Sequence, residues 1–229
     1  MPKLLSWLLL SCLLVGCMES GDAPQSTPYS FRWSEDGEVP PESDRSFAPY
    51  DHVGLITPGI AVARIENLYG SDALESRELP DGEGNALPGY VLFPGTHDEL
   101  SIELGEDKQP TRVSFSHPRT RWHHADTKLT VGTELAELRE MNGEAFTFTG
   151  FGWDSAGTVT DWNGGALTDI LVRLTYAPER VIGGGLPDTL LGDRLLSSDS
   201  SNVAALGLRV REIVVPLRKP EEEGRAEAE

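Results

Sequence analysis

The sequence predicts an α+β fold of two tandem repeats, each a short helix followed by a meander of antiparallel strands, β-rich overall. Two observations predict it. Two segments of similar sequence recur at one fixed spacing, and each is followed by short strand-like runs with Gly and Pro between them. We expect the helix of each repeat to pack on one face of its own meander, as in layered α+β proteins.

The recurring segments are residues 56–70 and 129–143. Apolar residues fall on every third position, which is one face of a short helix. Thr57 and Thr133 are predicted to cap the two helices, and a glycine is predicted to end each. Two unrelated amphipathic helices with similar ends remain the alternative. The matched pairs are Thr57 with Thr130, Gly59 with Gly132, Ala63 with Ala136, Gly70 with Gly143, Val62 with Leu135, Ile65 with Leu138 and Leu68 with Met141.

Extended segments follow both helices. Several alternate apolar and polar residues, as a half-buried strand does, and turn residues separate them. The predicted strands are 90–93, 99–104 and 111–116 in the first repeat, and 145–149, 157–162, 169–176 and 208–215 in the second.

Composition divides the chain into four parts. Residues 1–16 are predicted to be an export signal, and residues 17–52 a flexible tether rich in Ser, Pro, Gly and acidic residues. Residues 53–217 are predicted to form one domain, with repeats at about 55–118 and 128–217. Residues 218–229 are predicted to be an acidic disordered tail.

The export signal has Lys3 near its start and continues with an apolar run, and Leu14-Val15-Gly16-Cys17 spans its end. The run is too short to span a bilayer, which takes about 20 apolar residues. The ending resembles the lipobox of bacterial lipoproteins, which implies cleavage after Gly16 and lipid on Cys17. No Asp follows the cysteine, which in Gram-negative lipoproteins implies the outer membrane. The alternative is a secreted protein with a chance cysteine.

Charge and cysteine content restrict the kinds of partner and metal site that the protein is expected to have. The chain has 37 acidic and 19 basic residues and a net charge of −18, which repels nucleic acids and anionic lipids. We therefore expect membrane attachment through the lipid on Cys17 and no nucleic-acid partner. Cys12 lies in the signal, so the mature chain is expected to hold no disulfide and no thiolate metal site.

A glycine-led helix ending in glycine, followed by three strands and duplicated, resembles the SmpA/OmlA-type outer-membrane lipoproteins. It also resembles the tandem-repeat fold of the β-lactamase inhibitor protein. The residues that carry this are Gly132-Thr133 to Gly143 and, more weakly, Gly59 to Gly70. The segment 142–154 resembles a family of uncharacterised bacterial lipoproteins. The resemblance implies protein-binding or scaffold roles.

Two Trp–Asp pairs, Trp153-Asp154 and Asp161-Trp162, stand near one another together with Phe151. Trp is frequent at the centres of interfaces, so these five residues are the candidate partner-binding patch. The alternative, which we favour, is that the aromatic rings pack in the core and the aspartates cap turns.

Other clusters give weaker signals. His117, His123, His124 and Asp126 lack the spacing of a metal site and are expected to be surface residues, so no metal or cofactor is predicted. Near Ser197, Ser198 and Ser201 no nucleophile-elbow motif exists. The sequence predicts a non-catalytic, lipid-anchored envelope protein that binds another protein or acts as a scaffold. The alternatives are an envelope hydrolase with an acidic active site and a purely structural lipoprotein.

Overall fold

The computed structural model describes residues 44–80, 85–181 and 185–219, in which β-strands predominate over helices. The predicted signal, Cys17 and most of the tether lie outside the described residues. The strands are β1 (Ser46–Ala48), β2 (His52–Val53), β3 (Leu74–Pro80), β4 (Ala86–Leu92), β5 (Leu100–Leu104), β6 (Pro110–Phe115), β7 (His123–His124), β8 (Thr147–Thr149), β9 (Val159–Asp161), β10 (Leu171–Thr175), β11 (Leu195–Ser197) and β12 (Arg209–Pro216). The α-helices are α1 (Val62–Tyr69), α2 (Leu135–Asn142) and α3 (Ser201–Ala204).

The largest sheet has six antiparallel strands in the order β10-β12-β6-β5-β4-β3. Three of its strands, β4, β5 and β6, overlap the predicted strands 90–93, 99–104 and 111–116, whereas β3 was not predicted. The alternation also sets the faces, since Ile102, Val113 and Ile213 are fully buried on the core side. Residues that are paired across strands share a face, so Ser101, Ser114 and Val214 lie together on the opposite, outer face.

The second half of the chain does not form its own helix-plus-meander unit. β8 pairs with β9 and with β11 in a three-stranded sheet, whereas β10 and β12 extend the large sheet beyond β6. The prediction of an α+β fold of two tandem repeats is therefore wrong: the protein is β-rich and has three sheets. Side-chain alternation states which face of a strand is buried, but it does not state which strand lies beside it.

The two predicted helices are present but short. α1 and α2 have eight residues each, and each ends at a glycine with positive φ, Gly70 and Gly143. The predicted caps are wrong, because the residues before the helices are Ala61 and Glu134 and neither makes a side-chain capping bond. Thr133 instead donates its hydroxyl to the Thr130 carbonyl oxygen at 2.8 Å and closes a turn.

The folded domain begins earlier than the sequence indicates. β1 pairs with β2 antiparallel and with β7 parallel, and Phe47 at its centre is fully buried. Residues 44–52, which the sequence places in the tether, therefore belong to the domain. At the other end, Arg218 donates to Asp107 at 2.6 Å, while residues 220–229 of the predicted tail lie outside the described residues.

A buried ion pair joins the first hairpin to the large sheet. Asp98 is 4% exposed and accepts from Arg45 Nε at 3.0 Å and from Arg121 Nε at 2.8 Å. The Arg45 guanidinium also lies over the rings of Phe93 and Trp122, at 4.4 and 5.0 Å from their centroids. The carboxylate thus fixes three separate segments of the chain at one point.

One glycine allows a close approach between two of the sheets. Gly157 has φ +71°, and a Cβ there would overlap the carbonyl oxygen of Leu174 on β10. The Leu174 N–H donates to the Gly157 carbonyl oxygen at 2.8 Å. This bond joins the β11-β8-β9 sheet to the β10 edge of the six-stranded sheet. Within the described residues, no helix is both long and apolar enough to cross a membrane.

Candidate functional site

The structure separates the five residues of the candidate aromatic patch. Phe151 and Trp162 are buried, at 3% and 5% exposure. Trp162 donates its indole N–H to the Ile170 carbonyl oxygen at 2.9 Å, and its ring packs 4.9 Å from that of Phe146. These two residues are core residues, as the alternative interpretation holds, so neither belongs to a binding surface.

The other three members are exposed. Trp153 is 41% exposed, and its indole N–H donates to the Gly150 carbonyl oxygen at 3.0 Å. The Asp161 carboxylate accepts from the backbone N–H of Asn163 at 2.7 Å, a turn-closing bond of the kind expected for aspartate. Asp154 is exposed in the turn that follows Trp153. The run therefore presents one aromatic ring to solvent rather than a contiguous patch.

A groove of about 780 Å³ lies on the outer face of the six-stranded sheet, and we call it the sheet groove. It crosses four neighbouring strands, β5, β6, β12 and β10, which at about 4.8 Å per strand spacing is a width of roughly 15 Å. Its lining includes Ser101, Glu103, Arg112, Ser114, Glu212, Val214, Leu171 and Arg173, together with residues of the segments 95–99 and 116–118 and the end of β3.

Small side chains form the middle of the groove. Ser101 on β5 stands directly opposite Ser114 on β6, and Ser114 stands opposite Val214 on β12. Both serines are half-buried. Because a serine hydroxyl can donate and accept, this row offers hydrogen-bonding groups with little steric obstruction.

Two ion pairs cross between strands in the groove. Arg112 donates to Glu103 at 2.5 Å between β6 and β5, and Arg173 donates to Glu212 at 3.2 Å between β10 and β12. Each pair fixes long side chains against the sheet instead of leaving them extended into solvent. The Nε atom of Arg173 is buried and has no hydrogen-bond partner.

The segments 95–99 and 116–118 form a wall along the groove. The Gly95 N–H donates to the Glu99 carboxylate at 2.6 Å, and Arg77 lies 3.5 Å from the same carboxylate. The rings of His97 and His117 stack with centroids 4.5 Å apart. Loss of hydration lowers the pKa of His97, and the neighbouring charge of Arg119 lowers it further.

The lining of the groove is nearly balanced in charge, with three glutamates and two arginines. The chain as a whole carries −18, so the groove is less acidic than the average surface of the protein. The groove is therefore expected to repel anionic partners less than the rest of the surface does.

One of the histidines that the sequence analysis expects on the surface is buried. His124 is buried in β7, where burial lowers its pKa and its Nδ1 lies 3.0 Å from the Thr127 hydroxyl. The expectation of a surface position is wrong for His124, because β7 pairs with β1 and faces Phe47. Among the described residues, no three His, Cys, Asp or Glu side chains are grouped as metal ligands.

The sheet groove was not predicted, although the sequence contains a signal for it. Ser101, Glu103, Arg112 and Ser114 are the polar members of two alternating strands, and period-two alternation places them on one face. What alternation could not indicate is that β12 and β10 continue that face.

Comparisons with known proteins add little to this geometry. No protein-family model matches the sequence, and no curated protein matches it. The chain is similar to the crystal structure of the uncharacterized protein yfeY from Escherichia coli. The match covers 73% of this chain and 94% of that chain, with 14% sequence identity and a TM-score of 0.39. At that TM-score the likeness supports no conclusion about function.

Proposed function

We propose that the protein is a lipid-anchored component of the bacterial cell envelope that binds an extended segment of a partner protein in the sheet groove. The observation that carries the proposal is the open, nearly charge-balanced groove across four strands of the six-stranded sheet. The groove is about 15 Å wide, so it accommodates four to five residues of extended chain at about 3.3 Å per residue.

The chemistry of the lining favours a polypeptide over a polyanion. The two serine hydroxyls can pair with backbone N–H and C=O groups, while Leu171 and Val214 offer apolar contacts for side chains. Leu171 is 36% exposed, one of few large apolar residues so exposed among the described residues. Nucleic acid is disfavoured by the net charge of −18.

Anchoring is supported by the sequence alone. Gly16-Cys17 resembles a lipobox, and Cys17 lies outside the described residues. Lipid on Cys17 would hold the domain at a membrane, and the absence of Asp after the cysteine favours the outer membrane of a Gram-negative cell. Because each buried CH₂ of a lipid chain contributes about 0.8 kcal/mol, two or three chains give durable attachment.

No observation favours the alternative of a hydrolase with an acidic active site. Such a site needs a carboxyl group whose pKa is raised, and the pKa of Asp44, Asp98 and Asp107 is lowered in each case by hydrogen bonds that outweigh burial. In the groove, Glu103 and Glu212 are paired with arginines.

The proposal is tested by photo-cross-linking in intact cells, with benzoylphenylalanine in place of Ser114. We expect one discrete cross-linked product that sediments with the membrane fraction. The matched control carries the same photoprobe in place of Ser76, an exposed residue on the opposite face of β3, and should give no such product.

Two further outcomes separate the parts of the proposal. With Cys17→Ser, the product from the Ser114 position should leave the membrane fraction, because the lipid is missing. A product obtained equally from positions 76 and 114 contradicts groove binding, and sedimentation that does not change in Cys17→Ser contradicts lipid anchoring.

A further inference from the structure

Three side chains of the β1–β2 hairpin form a chain of hydrogen bonds outside the sheet groove. The Ser46 hydroxyl lies 3.0 Å from His52 Nε2, and His52 Nδ1 lies 2.8 Å from the Asp51 carboxylate. None of the three lines the sheet groove. The cluster is therefore independent of the proposed binding function.

The order of the contacts assigns the protons. A carboxylate can only accept, so His52 carries its proton on Nδ1 and donates it to Asp51. In the neutral ring Nε2 then holds the lone pair and accepts the proton of the Ser46 hydroxyl. A serine, a base that accepts its proton and a carboxylate that orients the base are the three parts of an activated nucleophile.

The backbone around Ser46 holds the hydroxyl in place. Its carbonyl oxygen accepts from the Gly54 N–H at 2.8 Å, and its own N–H donates to the Asp44 carboxylate at 2.8 Å. The hairpin is further held by the pairing of Phe47 with Val53, so its fold does not depend on the serine–histidine bond. The His52 side chain is 24% exposed, which leaves it accessible from solvent.

We propose that Ser46, His52 and Asp51 form a second functional site, a nucleophile, base and orienting group for acyl transfer from activated esters. Ser46 Oγ forms a bond to the acyl carbon while its proton passes to His52 Nε2. The carbon–oxygen bond to the leaving group breaks, and the leaving oxygen takes the electron pair and that proton. Water then attacks the acyl-serine, releasing the acid and restoring Ser46.

The surroundings restrict the substrate class. The backbone N–H of the nucleophile often stabilises the oxyanion in such reactions, but here the Ser46 N–H is bound to Asp44. With that donor occupied, only substrates with a good leaving group, such as aryl esters, are expected to react. Amides, whose leaving group is a strong base, should not.

The test is labelling of the purified full-length protein with a fluorophosphonate, followed by peptide mass spectrometry. Ser46 Oγ attacks phosphorus, the phosphorus–fluorine bond breaks and fluoride leaves. We expect labelling of Ser46 about 100-fold faster than of Ser101, the size of a general-base contribution. Aryl acetates should be hydrolysed with the same dependence on His52.

Variants separate chemistry from structure. His52→Gln keeps a hydrogen-bonding side chain but provides no base, and should lose the 100-fold enhancement while its thermal midpoint stays unchanged. Ser76→Ala, at an exposed serine outside both sites, should label at Ser46 at the original rate. Absence of labelling at Ser46 in the folded protein, or equal labelling in His52→Gln, overturns the proposal and leaves the groove proposal unaffected.

Discussion

Replacing Asp98 by asparagine is expected to lower the free energy of unfolding by about 3–5 kcal/mol, the usual cost of removing one partner of a buried ion pair. The Asp98 and Arg45 side chains are each only 6% exposed. Without the carboxylate, the Arg45 guanidinium remains buried with its main countercharge removed. Arg121 suffers less, because its side chain is 59% exposed.

The same substitution should change the pH dependence of stability. Burial alone would raise the pKa of Asp98, but hydrogen bonds from Arg121 and Arg45 outweigh burial and hold it below the ordinary 3.8. A lowered pKa in the folded state stabilises the protein above the pKa of the unfolded chain, and that contribution is lost as the pH falls through the folded value. The difference between wild type and variant should therefore shrink below about pH 4.

Urea unfolding at pH 7 and at several acidic pH values measures both effects. Asp154→Asn is the matched control, because Asp154 is exposed, and its effect should stay within about 0.5 kcal/mol. A loss below 1 kcal/mol for Asp98→Asn at pH 7 would show that the ion pair does not hold the hairpin to the sheet.

Trp122→Ala is expected to cost about 3–5 kcal/mol, as truncation of a buried aromatic side chain usually does. Trp122 is fully buried, and its indole N–H donates to the Asp98 backbone carbonyl at 2.9 Å. The substitution leaves a cavity, an unpaired carbonyl oxygen and an Arg45 guanidinium without one of its two aromatic neighbours.

The matched control for Trp122→Ala is Trp153→Ala, which removes an equally large ring that is 41% exposed. Chemical denaturation of the two variants should give a difference of at least 2 kcal/mol between them. Equal losses would place Trp122 outside the part of the core that determines stability.

The sequence predicted strands and helices better than it predicted their arrangement. Alternating residues located strands in the large sheet, and two glycines located the ends of α1 and α2. Strand partners depend on which apolar faces meet in space, so the joining of β12 to β6 had no local signal. Because β12 pairs with β6, the second meander that the sequence predicts does not form.

The same difference between local structure and spatial arrangement applies to the functional residues. The sequence singled out Trp162 because Trp is frequent at the centres of interfaces, but a large ring is as useful in a core, and here it packs against Phe146. The sheet groove and the Ser46–His52 contact both arise from residues that become neighbours through strand pairing. Ser46 falls within the predicted tether, because residues 17–52 are rich in Ser, Pro, Gly and acidic residues.

The central claim, that the sheet groove is the recognition surface, is tested most directly by peptide affinity. Peptides selected from a random library on the wild-type protein are titrated against Ser114→Trp, which fills the groove, and against Ser76→Trp, which adds the same ring on the opposite face. We predict at least tenfold weaker binding, about 1.4 kcal/mol, for Ser114→Trp and unchanged binding for Ser76→Trp. Equal affinity of the two variants, or a library that yields no binding peptide, would contradict the claim.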